Sequence, residues 1–311
     1  MQLAILVEGQ QGLTWERWQR LARAVEALGF AGLYRSDHFT DLDPPERDAL
    51  DLWASLTWLA DHTTRLELGP LVSPMSFRHP LHTARAAVAV DDLSHGRLKL
   101  GLGAGWVERE HEVFGFDLLD IDARFERFAE GLHLIRGLLH SAEPMTFTGR
   151  HYRLREARLL PRPQRPGGPP IVIGGNGPRR TLPLAARYAD EWNGLFLTPD
   201  RFREAGQRLD ELLAAAGRPP GAVRRSLLTG CVLGKDAAQV EQRAAVYSRG
   251  RRSIEQLRQR ARLIGTPAEV IEQFGALAQA GVEGVILQWL DMDDLAGLEE
   301  LSARVLPRLP A

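Results

Sequence analysis

Residues 1–12 read MQLAILVEGQQG, and this stretch decides between two candidate folds. Residues 3–7 form a continuous apolar run, which is typical of a parallel strand buried on both faces. A doubly wound, dinucleotide-binding sheet would require the pattern G-x-G-x-x-G directly after that strand. The chain has Glu8-Gly9-Gln10-Gln11-Gly12 there, so the sequence argues against the doubly wound fold.

Beyond this strand, short apolar runs alternate with amphipathic helical patterns along the whole chain. The next segment is a helical stripe that starts at Trp15 and is closed by Gly29. Strand-like runs then recur at 31–35, 65–72, 98–103, 171–174, 191–196, 227–233 and 284–289. Eight strands in β-then-α order predict an α/β fold, a single (β/α)8 TIM barrel over residues 1–311.

Two segments are expected in addition to the eight strand–helix units of the barrel. A hairpin and loop are expected at about 143–170, before the fifth strand, since a strand-like run there is followed by a proline-rich stretch. A helical segment is expected at about 235–264. It has two interpretations, a lid over the barrel mouth or part of the barrel exterior.

The composition excludes several classes of protein. Thirty-nine basic and 40 acidic residues are dispersed along the chain, which argues against a nucleic-acid partner. No apolar run reaches the roughly 20 residues of a membrane helix, and the N-terminus lacks the features of a signal peptide. A single cysteine, Cys231, suits a reducing compartment, so we expect a cytoplasmic protein. The histidines show no zinc-ligand spacing, and no metal is expected.

The active site of such a barrel lies at the carboxyl ends of its strands. The first strand ends at Glu8, and the second runs into Ser36-Asp37-His38-Phe39. A histidine can exchange protons near neutral pH, and Asp37 is placed to hold its tautomer. From these residues alone, capping or packing is the simpler role for an isolated Asp-His pair.

The fifth strand runs into a glycine-rich loop, residues 174–180, with the sequence GGNGPRR. Glycines allow backbone N–H groups to approach a phosphate, and Pro178 is suited to the first position of a helix. Arg179 and Arg180 would add cationic donors. The same glycines would equally serve a tight turn between strand and helix, so both interpretations stay open.

Several segments together resemble those of the bacterial luciferase-like oxidoreductases, in particular the branch that uses the deazaflavin coenzyme F420. The matching segments are 36–39 (SDHF), 71–80 (LVSPMSFRHP), 92–106 (DLSHGRLKLGLGAGW), 171–175 (IVIGG), 189–193 (ADEWN) and 265–269 (GTPAE). They span nearly the whole chain in the order found in the family.

The resemblance implies a coenzyme, F420 or alternatively FMN, that lies across the strand ends. It implies a non-proline cis peptide bond after the third strand, at Pro70–Leu71, behind the coenzyme ring. It places His38 near the reactive face of the ring. Apart from the resemblance, Asp37 and Glu8 are the acidic candidates for a catalytic role. The residues expected to bind the coenzyme are Pro70, Leu71, Val72, Ser73, Ala104, Gly105, Arg109, Gly174, Gly175, Asn176 and Gly177.

One departure from the family concerns the substrate. Where the sugar-phosphate dehydrogenase branch has an acidic catalytic residue after the glycine of strand four, this chain has Trp106. We therefore expect Trp106 in the substrate pocket and a small apolar or aromatic substrate.

Three functions follow from the resemblance. The first is an F420-dependent oxidoreductase that transfers a hydride between the coenzyme and a small organic substrate. The second is an FMN-dependent two-component monooxygenase, which would need a flavin or F420 reductase as partner. The third is a non-catalytic flavin-binding protein. The resemblance also implies a homodimer.

Overall fold

Parallel strands form the barrel in the computed structural model, which describes residues 1–42 and 44–310. The strands are β1 (Gln2–Val7), β2 (Gly32–Arg35), β3 (Glu67–Pro70), β4 (Ser73–Pro74), β5 (Leu100–Gly103), β6 (Met145–Thr148), β7 (Arg153–Ala157), β8 (Ile171–Gly174), β9 (Glu191–Leu195), β10 (Arg224–Leu233), β11 (Leu263–Gly265) and β12 (Gly284–Gln288).

Helices follow the strands and cover the barrel. They are α1 (Trp15–Ala27), α2 (Leu52–His62), α3 (Pro80–Leu93), α4 (Glu108–Phe114), α5 (Ile121–His140), α6 (Thr181–Tyr188), α7 (Pro199–Ala215), α8 (Ala237–Tyr247), α9 (Ile254–Gln259), α10 (Pro267–Gln279), α11 (Leu295–Arg304) and a short 3-10 helix (Leu306–Arg308). Among the described residues, none of these helices combines the length and apolar character required to cross a bilayer.

The barrel has eight positions, because β3 and β4 are two halves of its third strand. β3 pairs with β2, and β4 pairs with β5. A bridge between Leu68 and Leu98 joins the remaining edge of β3 to the chain that enters β5. The circuit is completed by β8, β9, β10 and β12, which returns to β1. The predicted (β/α)8 fold is thereby confirmed.

The third strand is interrupted at residues 71 and 72, within the single strand predicted at 65–72. The non-proline cis peptide bond joins Leu71 to Val72, so the predicted position, Pro70–Leu71, is wrong by one residue. The physical reason is the pairing with β2. Pro70 still lies opposite Arg35 in the parallel register, and the Leu71 N–H donates to Arg35 O at 2.9 Å. The chain therefore leaves the ladder only after Leu71.

Both segments expected outside the barrel circuit have regular structure. β6 and β7 pair as an antiparallel hairpin ahead of β8. In the segment 235–264, α8 and α9 pack against the end of β10 around a small apolar cluster. Its buried members are Val232, Val240, Ala244, Leu257 and Ile264.

An ionic network lies at the amino-terminal end of the barrel. Lys99 Nζ lies 2.9 Å from Glu67 Oε2 and 2.9 Å from Glu191 Oε2. Ser226 Oγ donates to the second oxygen of Glu191 at 2.5 Å. Glu67 and Glu191 begin β3 and β9, and Lys99 directly precedes β5, so one ammonium group links three strands. This end of the barrel is opposite the strand ends at which an active site is expected.

We predict that Lys99→Met lowers the free energy of unfolding by about 3 kcal/mol, because it leaves two carboxylates without their cation. Lys235 is the other lysine of the chain and is exposed, so Lys235→Met is a matched control with an expected change of less than about 0.5 kcal/mol. Urea unfolding followed by circular dichroism measures both. Equal effects of the two substitutions would contradict this role of Lys99.

Candidate functional site

The carboxyl ends of the strands surround an apolar floor, which we define as Leu6, Leu71, Val72 and Leu195. Leu6 and Leu71 are buried in the cluster that fills the barrel, and Val72 and Leu195 pack on that cluster while partly exposed. The floor thus offers apolar contact area to a flat ring at the barrel mouth.

Glycines at the ends of two strands leave room for Val72. A Cβ atom added at Gly103 would lie 2.7 Å from Val72 Cγ2, and one added at Gly174 would lie 3.0 Å from Val72 Cγ1. Both distances are shorter than an ordinary van der Waals contact, so a side chain at either position would displace Val72. Gly174, expected to bind the coenzyme, therefore also has a packing role.

His38 lies in the loop after β2 and is held by a buried carboxylate from α4. Its Nδ1 is 2.9 Å from Glu110 Oε2, and Glu110 is 1% exposed. The other oxygen of Glu110 accepts the backbone N–H groups of Phe39 and Thr40. A single side chain of α4 therefore fixes both the imidazole and the loop that carries it.

The surroundings of His38 favour its protonated form. Burial of the ring acts to lower the pKa, but the hydrogen bond to Glu110 and the charge of that carboxylate raise it, and Glu8 and Asp37 add to this effect. The net result is a pKa of His38 above its ordinary value. Protonation of His38 thus stabilises the fold at low pH, and this contribution is lost as the pH rises through the raised pKa.

Asp37 does not orient His38, and the expectation that it holds the histidine tautomer is wrong. Its carboxylate forms an ion pair with Arg78, with 3.2 Å between Nη2 and Oδ1, and accepts a hydrogen bond from Ser73 Oγ at 2.6 Å. His38 contacts Glu110 instead, so these two neighbouring side chains have different partners. Burial raises the pKa of Asp37, although Arg78 and Ser73 act to lower it.

Glu8 lies at the barrel mouth between the first and last strands. Its Oε1 accepts a hydrogen bond from Gln288 Nε2 at 2.6 Å, and its Oε2 accepts one from Gln10 Nε2 at 3.2 Å. Glu8 is half-buried. It influences His38 through its charge rather than through a hydrogen bond.

The loops after β5 and β8 present free backbone donors. Within the described chain, the N–H groups of Gly105, Trp106, Asn176 and Gly177 donate to no other residue. The N–H of Gly175 is different, since it donates to Asn193 O at 3.0 Å. Adjacent backbone N–H groups that have no acceptor in the protein are suited to binding an anionic oxygen.

The helix after β8 begins later than the sequence predicts. Residues 178–180 form a turn and α6 begins at Thr181, so the assignment of Pro178 to the first helical position is wrong. The side chain of Asn176 fixes this loop to β9. Its Nδ2 donates to Leu195 O at 2.8 Å, and its Oδ1 accepts the Leu195 N–H at 2.9 Å. The loop therefore has a defined shape although it is not helical.

Arg109 and Trp106 both lie in the segment after β5, but Arg109 contacts the loop after β2, whereas Trp106 is exposed next to His38. Arg109 donates to Thr40 Oγ1 at 2.7 Å and pairs with Glu46, so it braces the loop after β2. Trp106 is 61% exposed, and its ring lies edge-on to His38 with 6.2 Å between centroids. Trp106 thus borders the space next to His38.

The sequence prediction missed Glu110 and Arg78. The chain separates Glu110 from His38 by 72 residues, so no local pattern connects them. One weak signal was present, since Val107, Glu110 and His111 have the three- and four-residue spacing of a buried helix face, and all three are buried. An acid on such a face requires a partner.

A cavity of about 1010 Å³ opens at the ends of β10 and β12, and Gln288, which donates to Glu8, is part of its lining. We call it the β10–β12 cavity. One wall comes from the ends of the strands, including Cys231, Gln288 and Trp289, and the facing wall comes from α8 and the loop that follows it. Burial raises the pKa of the Cys231 thiol to about 12, which keeps it protonated at neutral pH.

We predict that Glu110→Gln lowers the pKa of His38, because glutamine keeps the shape of the side chain and removes its charge. NMR titration of isotope-labelled histidine rings measures this value, and His38→Ala assigns the signal. Glu112→Gln is the control, since Glu112 is an exposed residue of the same helix. An unchanged pKa in Glu110→Gln would exclude Glu110 as the cause of the shift.

Known proteins share both the sequence pattern and the barrel. The sequence profile of the family described as luciferase-like monooxygenase matches residues 1–262. An F420-dependent hydroxymycolic acid dehydrogenase of Mycobacterium tuberculosis is 32% identical over 222 residues, which cover 70% of this chain and 59% of that protein. An F420-dependent glucose-6-phosphate dehydrogenase of Kineococcus radiotolerans is 28% identical and aligns over 91% of this chain and 90% of its own length.

A solved structure extends the likeness to the whole fold. It is an F420-dependent secondary alcohol dehydrogenase in complex with an F420–acetone adduct, with a TM-score of 0.82 over 100% of this chain and 99% of that chain. At 19% sequence identity this match shows the fold alone. The family profile covers most of the sequence, and it confirms the resemblance. The chain belongs to the luciferase-like monooxygenase family and is an oxidoreductase.

Proposed function

We propose that this chain is an F420-dependent oxidoreductase that transfers a hydride between the deazaflavin and a small organic substrate. The observation that carries the proposal is His38, held by Glu110 in the loop after β2, at the end of the barrel that also carries the apolar floor. The relatives from Mycobacterium and Kineococcus, both named as F420-dependent dehydrogenases, support the choice of coenzyme.

The residues of the site fit such a coenzyme. The free N–H groups of Gly105, Trp106, Asn176 and Gly177 are suited to the oxygens of its phosphate. Val72 and Leu195 offer apolar contact to its ring. When bound, the deazaflavin supplies the carbon that accepts or releases the hydride. The chain contributes binding, orientation and exclusion of water.

His38 exchanges the proton that accompanies the hydride. Because Nδ1 faces the Glu110 carboxylate, it carries a hydrogen, and Nε2 is left to face the substrate. The raised pKa suits His38 to donate this proton at neutral pH when the substrate is reduced. Trp106, next to His38, favours an apolar or aromatic group at the reacting end of the substrate.

The main alternative is an FMN-dependent monooxygenase, and the description of the family as luciferase-like monooxygenase favours it. It would require a reductase partner. The complete circuit of eight strands argues against a non-catalytic derivative of the fold. Homodimer formation stays a prediction.

An anaerobic titration of the purified protein with F420 and, in parallel, with FMN tests the proposal. We expect F420 to bind at least about tenfold more tightly than FMN, a difference of about 1.4 kcal/mol. Tight binding of FMN with weak binding of F420 would contradict the proposal and support the monooxygenase.

A substitution separates the role of His38 in proton transfer from a role in binding. His38→Ala should lower kcat about 10²- to 10⁴-fold, the range for loss of a general acid, while the Kd for F420 changes less than about threefold. His62→Ala is the control, because His62 is exposed on α2 and stacks on Trp58. Unchanged turnover in His38→Ala would remove His38 from the reaction.

A further inference from the structure

We propose that the β10–β12 cavity is an anion-binding subsite, which takes a carboxylate or phosphate carried on an apolar body by the substrate. The inference rests on the proposed function, because it assigns a substrate class to the same enzyme. It concerns a part of the barrel mouth that contains neither His38 nor the free N–H groups of the glycine loops.

The lining of the cavity is amphipathic. Val232, Leu233, Leu290 and Met292 contribute apolar surface, and glutamine and arginine side chains contribute polar surface. A volume of about 1010 Å³ lies at the upper end of the range for small-molecule sites. The lining therefore suits a molecule with an apolar body and a polar end.

Most of the positive charge comes from one short segment, although Arg17, which pairs with Asp293, and Arg47 also line the cavity. Residues 242–254 contain four arginines and no acidic residue, and all four arginines line the cavity. Arg243 is paired with Glu300 at 3.0 Å. Arg249, Arg251 and Arg252 form no ion pair with any residue of 1–42 or 44–310. These three exposed arginines lie within four residues of the chain, and their guanidinium groups are therefore available to an anionic ligand.

The backbone that carries these arginines has a defined conformation. Ser248 is buried, and its hydroxyl donates to Arg252 O at 3.1 Å. The N–H of Gly250 donates to Ala245 O at 2.7 Å, and the N–H of Arg251 donates to Ser248 O at 3.0 Å. Ser253 then starts α9 with a capping box. The backbone of the loop is therefore held in place, and binding of a ligand would have to order only the exposed arginine side chains.

The acidic residues of the cavity are mostly engaged elsewhere. Asp293 pairs with both Arg17 and Arg20. Asp294 caps α11 by accepting the N–H of Gly297 at 2.8 Å, and Asp291 accepts the N–H of Asp293 at 3.0 Å. Asp48 is the remaining acid of the lining. Among the described residues, none of these four aspartates forms an ion pair with Arg249, Arg251 or Arg252.

The position of the cavity favours the substrate over the coenzyme as the source of the anion. In the barrel order, β5 and β8 occupy the fourth and fifth positions, and β10 and β12 occupy the seventh and eighth. The free N–H groups suited to the coenzyme phosphate follow β5 and β8, so they lie on the other side of the mouth. The coenzyme phosphate would then be held on one side of the mouth and the substrate anion on the other. The reacting groups of the two molecules would meet between these sites.

Binding of matched probes tests the subsite. The probes are 4-phenylbutanoate, 4-phenylbutyl phosphate and 4-phenylbutan-1-ol, which share an apolar body and differ in charge. Isothermal titration calorimetry at low salt should show that at least one of the two anions binds about tenfold more tightly than the alcohol, and the preference should weaken with added salt. The stronger anion identifies the ligand chemistry. Equal affinities for all three probes would overturn the proposal.

A charge-matched pair of variants assigns the preference to the loop. The first variant is Arg249→Asn/Arg251→Gln/Arg252→Gln. Position 249 receives asparagine because the backbone φ of Arg249 is +52°, a left-handed conformation that asparagine tolerates well. This variant should lose the preference for anions and keep its affinity for the alcohol. The control, Arg153→Gln/Arg155→Gln/Arg158→Gln, removes three exposed arginines on or next to the β6–β7 hairpin and should keep the preference. Equal loss in both variants would overturn the proposal, and circular dichroism checks that both are folded.

Titration with F420 separates the two sources of the anion. The triple loop variant should bind F420 with unchanged Kd, since the cavity serves the substrate. A tenfold weaker Kd would assign the cavity to the coenzyme side chain and overturn the substrate subsite. If the wild-type protein binds no F420 and still prefers the anionic probes, the proposed function fails and the anion subsite stands.

Discussion

The close approach of the third barrel strand to its neighbours is the constraint on which the site depends. A Cβ atom at Gly101 would lie 2.1 Å from Pro70 O, and one at Gly69 would lie 1.9 Å from Lys99 O. Side chains are therefore excluded where β3 meets β5, and Val72 fills the space above, next to Gly103 and Gly174. This packing gives the barrel mouth a low apolar floor, and the polar groups of the site are arranged around it.

The charged groups of the barrel have different roles, and the partner of each group determines its role. Glu110 is buried against His38 and raises the pKa of the imidazole. Asp37, the neighbour of His38 in the chain, is paired with Arg78 and supports the loop. Lys99 links the acids at the opposite end of the barrel, where no chemistry is expected. In the proposed anion subsite, most of the positive charge comes from a loop outside the barrel circuit.

Much of the fold was predictable because strands buried on both faces produce continuous apolar runs. The eight runs of the sequence correspond to the eight barrel positions. The contacts within the site were less accessible to sequence reasoning, since Glu110 reaches His38 across 72 residues. Local rules also failed where tertiary contacts override them. Pro178 begins a turn rather than a helix, and the pairing of Leu71 with Arg35 moves the cis bond by one residue.

A crystal structure of the protein with F420, prepared without oxygen, tests the central claim most directly. We predict that the ring lies against Val72 with His38 Nε2 beside the substrate space, and that the phosphate meets the N–H groups after β5 and β8. We also predict an unchanged contact between His38 and Glu110. A coenzyme whose phosphate lies in the β10–β12 cavity, or whose ring lies away from Val72, would contradict this claim.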